Sequence, residues 1–344
     1  MRVGVYGLFS AYWPGALAGA AQGQPSVEVV AAAHLGDDPA RMKLIMGATP
    51  EEFAASRGLA LYENARQMIE REKLDAVVIS GPHSRLVDYC QVAAEAGCHF
   101  YVAKPMCTSL PDADRIVKAA RQNHVIATSG MTERFDAAIR EAKRLVDAGE
   151  IGKVLSVRAL HQHGHYTFHE ADWWGEVEQG GPELSLIWYA ADCARWFAGS
   201  EVARVAAEYD NFLSPQSPFM DNGKVLMRFA DGKLGSLDIY FSVSFKFPNW
   251  EVEVMGTEGA IRTQQSAFEG MLFTKDGPRV FQRTQNDLLR EEVGDWLTAC
   301  QEGPDPLVTI EDCRQVMEIC FACREAAREK RMVELPLPSG GAKL

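Results

Sequence analysis

The sequence predicts a two-domain α/β protein: a doubly wound parallel sheet over residues 1–130, then an α+β domain over 131–344 built on a large, mainly antiparallel, open-faced sheet. Three observations carry this expectation. A chain of 344 residues exceeds what one hydrophobic core ordinarily serves. Residues 2–130 alternate short apolar runs with helix-length amphipathic stretches, the pattern of parallel strands joined by crossover helices. Beyond residue 150, strand-like segments follow one another across short turns, the pattern of an antiparallel sheet.

In the first domain, strands are expected at 3–6, 27–33, 76–80, 100–102 and 125–128, because each is apolar or β-branched without regular alternation, as strands buried on both faces are. Segments 39–46, 49–57, 65–71, 84–96 and 110–122 have helical spacing, several opened by Ser, Thr or Pro. A helix over 135–148 ends at the glycines of 149–152, and 154–165 reads as a strand with period-two alternation that opens the second domain. A helix at 183–197 follows, then strands at 203–209, 224–229, 234–242 and 250–255, punctuated by Asp231-Gly232 and the Thr257 to Gly259 turn. Helices at 286–300 and 311–330 close the chain before a Pro/Gly tail.

Composition narrows the function classes. With 47% hydrophobic and 24% charged residues the chain is an ordinary globular protein, and its net charge of -12 with no dense Lys/Arg run argues against nucleic acid as a partner. No apolar run reaches the roughly 18 residues of a membrane span. The eight cysteines are spread widely with no signal peptide before them, so they read as reduced thiols of a cytoplasmic protein. Cys320 and Cys323 form a lone C-x-x-C inside a helical stretch and read as buried structural thiols.

Six segments stand in order along the chain: 2–7 (RVGVYG), 96–105 (AGCHFYVAKP), 149–154 (GEIGKV), 180–182 (GGP) with 192–196 (DCARW), 254–259 (VMGTEG) and 305–309 (DPLVT). Together they resemble the glucose-fructose oxidoreductase and inositol dehydrogenase family, Gfo/Idh/MocA, over nearly the whole chain. The resemblance implies a Rossmann-like first domain and an NAD(P)-dependent dehydrogenase. It carries over Lys104 as a catalytic residue, although Ala103 stands where the family has Glu.

In a dinucleotide-binding turn one glycine makes the bend, a second admits the pyrophosphate and a third lets helix and strand pack closely. Gly7 holds the first place, but Phe9 and Tyr12 hold the second and third, and a benzyl group at 9 tends to fill the phosphate space. Where an acid usually grips the ribose at the end of the second strand stands His34, with Asp37 and Asp38 slightly beyond, and an acid at 37 serves only if the loop bends back. His34 with Arg41 and Lys43 equally suits a 2′-phosphate. The cofactor is therefore expected to be NADP or NAD, with Gly7, Phe9, Ser10, His34, Pro82, His83 and Lys104 as its candidate contacts. Loss of the cofactor is the alternative.

The family's helix residues Asp and His correspond to Ser185 and Tyr189, so the resemblance leaves Lys104 and Tyr189 as the reactive pair. An ammonium beside a phenol favours the phenolate, which can take the reacting proton. The competing reading makes Tyr189 a packed core aromatic. Segment 161–174 holds half of the chain's histidines. His161, His163 and His165 share one face of a strand and, with Trp173, Trp174 and Ser185, form candidate substrate contacts; alternatively His163, His165 and His169 ligate a divalent metal.

Three functions follow. The first is an NAD(P)-dependent oxidoreductase acting on a polyol, sugar, cyclic diol or related carbonyl. The others are a divalent-metal lyase or hydrolase using the histidine segment, and a non-catalytic partner subunit. An open sheet face suits a homodimer or homotetramer.

Overall fold

The computed structural model describes residues 1–163, 176–213, 218–242, 249–264 and 269–338. Six strands, β1 (Arg2–Tyr6), β2 (Glu28–Ala33), β3 (Ala60–Tyr62), β4 (Ala76–Ile79), β5 (His99–Val102) and β6 (Ala127–Ser129), form the first sheet in the order β3-β2-β1-β4-β5-β6. Every neighbouring pair is parallel. Helices α1 (Trp13–Gln22), α2 (Pro39–Met46), α3 (Pro50–Arg57), α4 (Ala65–Glu72), α5 (Leu86–Glu95) and α6 (Leu110–Gln122) supply the crossovers. Their starts are written locally: Asp38, Thr49, Asn64 and Ser109 each accept a backbone N–H as N-caps.

Successive side chains of the central strands point to opposite faces, and both faces are apolar. Tyr6, Val77, Ile79, Phe100 and Val102 pack with Met68, Leu86 and Ile116 of α4, α5 and α6. Val3, Val5, Val78 and Tyr101 pack with Leu17, Met42 and Phe53 on the other side. That second core is completed by Val293, Trp296 and Leu297 of a helix far along the chain.

The second sheet has nine strands, β7 (Val154–Gln162), β8 (Val202–Asp210), β9 (Asn222–Phe229), β10 (Leu234–Tyr240), β11 (Trp250–Gly256), β12 (Gly259–Gln264), β13 (Glu269–Thr274), β14 (Gly277–Gln282) and β15 (Val333–Glu334). Their order is β14-β13-β12-β11-β7-β10-β9-β8-β15, antiparallel throughout except for the β7–β10 pair. Helices α7 (Ala137–Asp147), α8 (Gly181–Ala198) and α10 (Ile310–Glu329) pack against it, while α9 (Leu288–Glu302) is the helix that reaches back to the first sheet. Leu226, Leu234, Met255 and Val280 lie exposed on the strands.

Several elements go beyond the sequence reading. Helix α1 (WPGALAGAAQ) is built largely of small residues, so its apolar face is faint in the sequence although Leu17, Ala18 and Ala21 are fully buried. Strands β12, β13 and β14 begin at or next to glycines that interrupt the alternation. The strand expected over 154–165 is described as far as Gln162.

Candidate active site

The order of the first sheet reverses between β1 and β4, which opens a crevice outside the carboxyl ends of the strands. A cleft of about 910 Å³ lies there, walled by the turn after β1 (Ser10 to Trp13), by His83, Lys104, Thr132 and Glu133 beyond β4 to β6, and by His161, Gln162, His163, Ser185, Tyr189 and Trp250 from the second domain. Residues 285–289 close one side.

Gly7 makes the turn after β1 at φ 84°, and a Cβ there meets the Ser80 carbonyl oxygen at 2.0 Å, so no other residue fits. Helix α1 then starts with no side-chain cap and no acid in its first turn. Phe9 corrects the expectation that its ring fills the phosphate space: it is 4% exposed, part of the core under the Arg41 guanidinium at 5.0 Å. Only its backbone is left to border the turn, while Ser10 lines the cleft.

At the end of β2, His34 is buried and its Nδ1 has no hydrogen-bond partner. Leu35 and Gly36 both take left-handed backbone, φ 65° and 73°, and fold the loop back. The Asp37 side chain is thereby covered, 7% exposed, with Oδ1 accepting from Arg85 at 2.7 Å and Oδ2 unpartnered. The cations that the sequence offers to a 2′-phosphate are engaged elsewhere, Arg41 with Glu176 and Lys43 with Glu52, each at 2.9 Å.

Pro82, buried and off the cleft wall, opens the short turn that presents His83. His83 is buried with Nδ1 2.7 Å from the Gln179 carbonyl. Burial first, then the nearby Lys104 charge, depress it to about 4, so it is neutral and Nδ1–H is the donor. Lys104 follows β5, and its own removal from solvent lowers it to about 8 against the pull of Glu133. Its Nζ sits over the Tyr189 ring, 4.6 Å from the centroid. A cation on the ring face does not stabilise a phenolate as hydrogen bonding to the oxygen does, and burial with Glu133 and Glu292 nearby pushes the Tyr189 hydroxyl well up. The phenolate expected from the sequence is therefore disfavoured, and Tyr189 is a protonated, 8% exposed wall of the cleft.

His161, on the buried side of β7, stacks with Tyr189 (centroids 4.7 Å apart) and Trp250 (6.2 Å). His163 is exposed beyond the strand end, its ring against Phe241 at 5.6 Å, and Ser185 is buried in the wall. His165, His169, Trp173 and Trp174 lie outside the described residues. Among the described residues no three His, Cys, Asp or Glu groups converge as a metal site.

Sequence reading missed Glu133, Trp250 and Glu292. Glu292 on α9 accepts from Tyr101 Oη at 2.9 Å and from the Met131 N–H at 2.6 Å, which ties α9 to the segment after β6. Burial raises its carboxyl from 4.5 to about 8. The folded chain thus holds this proton more tightly than the unfolded one, and the resulting stabilisation is full below about 4.5 and lost as the pH rises through about 8. Glu292→Gln is expected to flatten that decline, read from urea midpoints across the same range; an unchanged pH profile would contradict it.

A model of the oxidoreductase family with an NAD-binding Rossmann fold matches residues 3–131, and the GFO/IDH/MocA C-terminal domain model matches residues 139–262. The chain belongs to the Gfo/Idh/MocA oxidoreductase family. A myo-inositol 2-dehydrogenase of Thermotoga maritima is 26% identical over 287 residues, 80% of this chain and 84% of its own. A scyllo-inositol 2-dehydrogenase (NAD(+)) of Bacillus subtilis is 26% identical over 306 residues, 83% and 85% of the two chains. An Agrobacterium radiobacter oxidoreductase, solved with NAD+, L-tartaric acid and magnesium, superposes with a TM-score of 0.83 at 17% identity over 97% of this chain and 98% of its own.

The first domain of this Gfo/Idh/MocA protein is accordingly an NAD-binding Rossmann domain. Its residues fit that group: a glycine-only turn at Gly7, an uncapped helix start, and unpartnered buried atoms of His34 and Asp37 at the end of β2. No helix among the described residues is long and apolar enough to cross a membrane.

Proposed function

We propose that this oxidoreductase is an NAD-dependent dehydrogenase of a cyclic polyol or sugar, with the dinucleotide held by residues 1–130 and the substrate by 131–344. The supporting observation is Lys104, half-withdrawn from water between the dinucleotide turn and a wall of hydrogen-bonding and aromatic side chains. The bound dinucleotide supplies the hydride acceptor. Lys104 is mostly ammonium at neutral pH and donates to the substrate hydroxyl oxygen, favouring its deprotonated form. Neutral His83, fixed through Nδ1, and the Tyr189 phenol border the same space, and Trp250 offers a flat face to a ring. The inositol dehydrogenases among its relatives make inositols the first substrates to test. The experiment is a panel of inositol isomers and aldoses with NAD+, followed as NADH formation; no turnover with any of them counts against the substrate class.

Asp37 and His34 favour the ribose diol over a 2′-phosphate, since a carboxylate accepts from hydroxyls and repels phosphate. NADH is expected to bind at least about tenfold more tightly than NADPH, and Asp37→Ala to remove about that much, the worth of one hydrogen bond to a charged group. Equal affinities in a fluorescence titration would sink this assignment.

The exposed apolar residues of the second sheet suit pairing with another copy as a homodimer or homotetramer, and the eight free cysteines suit a reducing cytoplasm. Sedimentation equilibrium at micromolar concentration decides the first; a monomer contradicts it.

A further inference from the structure

Glu133 is placed with unusual care for a residue in a turn. The segment that carries it is held at four points: Trp188 Nε1 donates to the Gly130 carbonyl, the Met131 N–H donates to Glu292, Arg134 pairs with Asp192, and Asp136 caps α7 and accepts from Trp250. Yet the Glu133 carboxyl, 2% exposed, brings Oε1 to 3.2 Å from Nδ1 of the 5% exposed His161 without hydrogen-bond alignment. Neither atom has a hydrogen-bond partner, and an unsatisfied buried polar group is costly enough to call for a reason. Stacking on Tyr189 and Trp250 fixes the imidazole plane, and both residues face the cleft that holds Lys104.

We propose that Glu133 and His161 are the acid–base pair of this cleft, His161 taking the proton of the substrate hydroxyl and Glu133 holding the imidazole ring and the charge it gains. The proposal rests on the dehydrogenase reading above. In the forward step the carbinol C–H bond breaks with its electron pair passing as hydride to the oxidised dinucleotide. The O–H bond breaks with its proton passing to His161, and the carbon–oxygen bond becomes a carbonyl. With Nδ1 turned to Glu133, Nε2 is the nitrogen left for the substrate. Lys104 orients the hydroxyl oxygen, and Tyr189 stays a donor.

Burial and then Lys104 and His163 hold His161 well below its usual range, so the resting ring is neutral and a weaker base than a free imidazole. Burial raises Glu133 strongly, Lys104 opposes, and Asp192 and Glu292 add to the rise. Facing the pair are therefore Lys104 just after β5, Tyr189 and the Arg134-paired Asp192 from α8, Glu292 from α9 and His163 just past the end of β7.

The test begins on the free, full-length protein labelled with 15N-histidine, with His161→Asn to assign the resonance. Glu133→Gln is expected to shift the His161 ring nitrogens and leave the other histidines in place; unmoved His161 signals overturn the pairing whether or not any dinucleotide binds. With the polyol oxidised in the panel above, Glu133→Gln and His161→Asn are expected to lower kcat by about 10²–10⁴-fold while KM and the NADH Kd stay within about threefold. The acid limb of the pH profile should move in Glu133→Gln, and added imidazole should restore turnover to His161→Gly. Turnover within about threefold of wild type in both variants overturns the catalytic role. Wild-type protein that binds no NADH defeats the dehydrogenase reading instead. If a variant fails to fold, the wild-type His161 nitrogen shift alone distinguishes a ring bonded to a carboxyl from one that is not.

Discussion

Replacing Lys104 by Met is expected to lower turnover about 10³-fold, the usual loss when a positioned charge is removed from the reacting oxygen, and to leave NADH affinity within about threefold. The asymmetry follows from position. Lys104 touches the second-domain wall through the Tyr189 ring, whereas the turn at Gly7 and the residues at the end of β2 lie on other loops. Methionine keeps the length and removes the charge, and it relieves rather than adds desolvation cost. The fold should therefore survive, and thermal unfolding of the variant should match or exceed that of wild type. Steady-state kinetics beside an NADH titration check both halves. A variant that binds NADH normally and turns over at wild-type rate removes Lys104 from the chemistry.

Replacing Arg134 by Met is expected to destabilise the protein by about 3–5 kcal/mol, because it strands the buried Asp192 carboxylate without its partner. Arg134 and Asp192 are 3% and 1% exposed and meet through two hydrogen bonds of 2.6 and 2.9 Å. Arg134 also donates to the Leu307 carbonyl and approaches Asp312, so it joins the segment after β6, α8 and the start of α10. Removing Asp192 as well, in Arg134→Met with Asp192→Leu, should return much of the loss, since the pair together gains little over apolar packing. Urea unfolding of the two variants measures this. A loss below about 1 kcal/mol for Arg134→Met, the range of exposed ion pairs, would show that water reaches the site.

What could be read from the sequence was local. The left-handed turn at Gly7, the Lys104-Pro105 pair after β5 and the helix caps each show in residue type and order, so their signals survive without the fold, although the Ser80 carbonyl that excludes a side chain at 7 lies far along the chain. The bend that brings Asp37 back is also local, but it needs two consecutive left-handed residues, one of them Leu35, and nothing in that residue announces it. Glu133 was illegible for a different reason. It sits in a four-residue turn with no period, and its burial comes from β7, α8 and α9 converging on it, from His161, 28 residues away, to Glu292, 159 residues away. Helix α9 misled in the same way: it follows the second domain in the chain and completes the core of the first. Tyr189 was found by alignment with the family's helix, but its chemistry depended on where Nζ stands relative to the ring, which no spacing encodes.

The central claim is a dinucleotide site that opens into the Lys104 cleft. Titrating the purified protein with NADH, following nicotinamide fluorescence and tryptophan quenching by way of Trp13 and Trp250 at the cleft wall, tests it most directly. Saturable binding of one NADH per chain, weakened about tenfold in Asp37→Ala, is the predicted result. No binding of NADH or NADPH would contradict it.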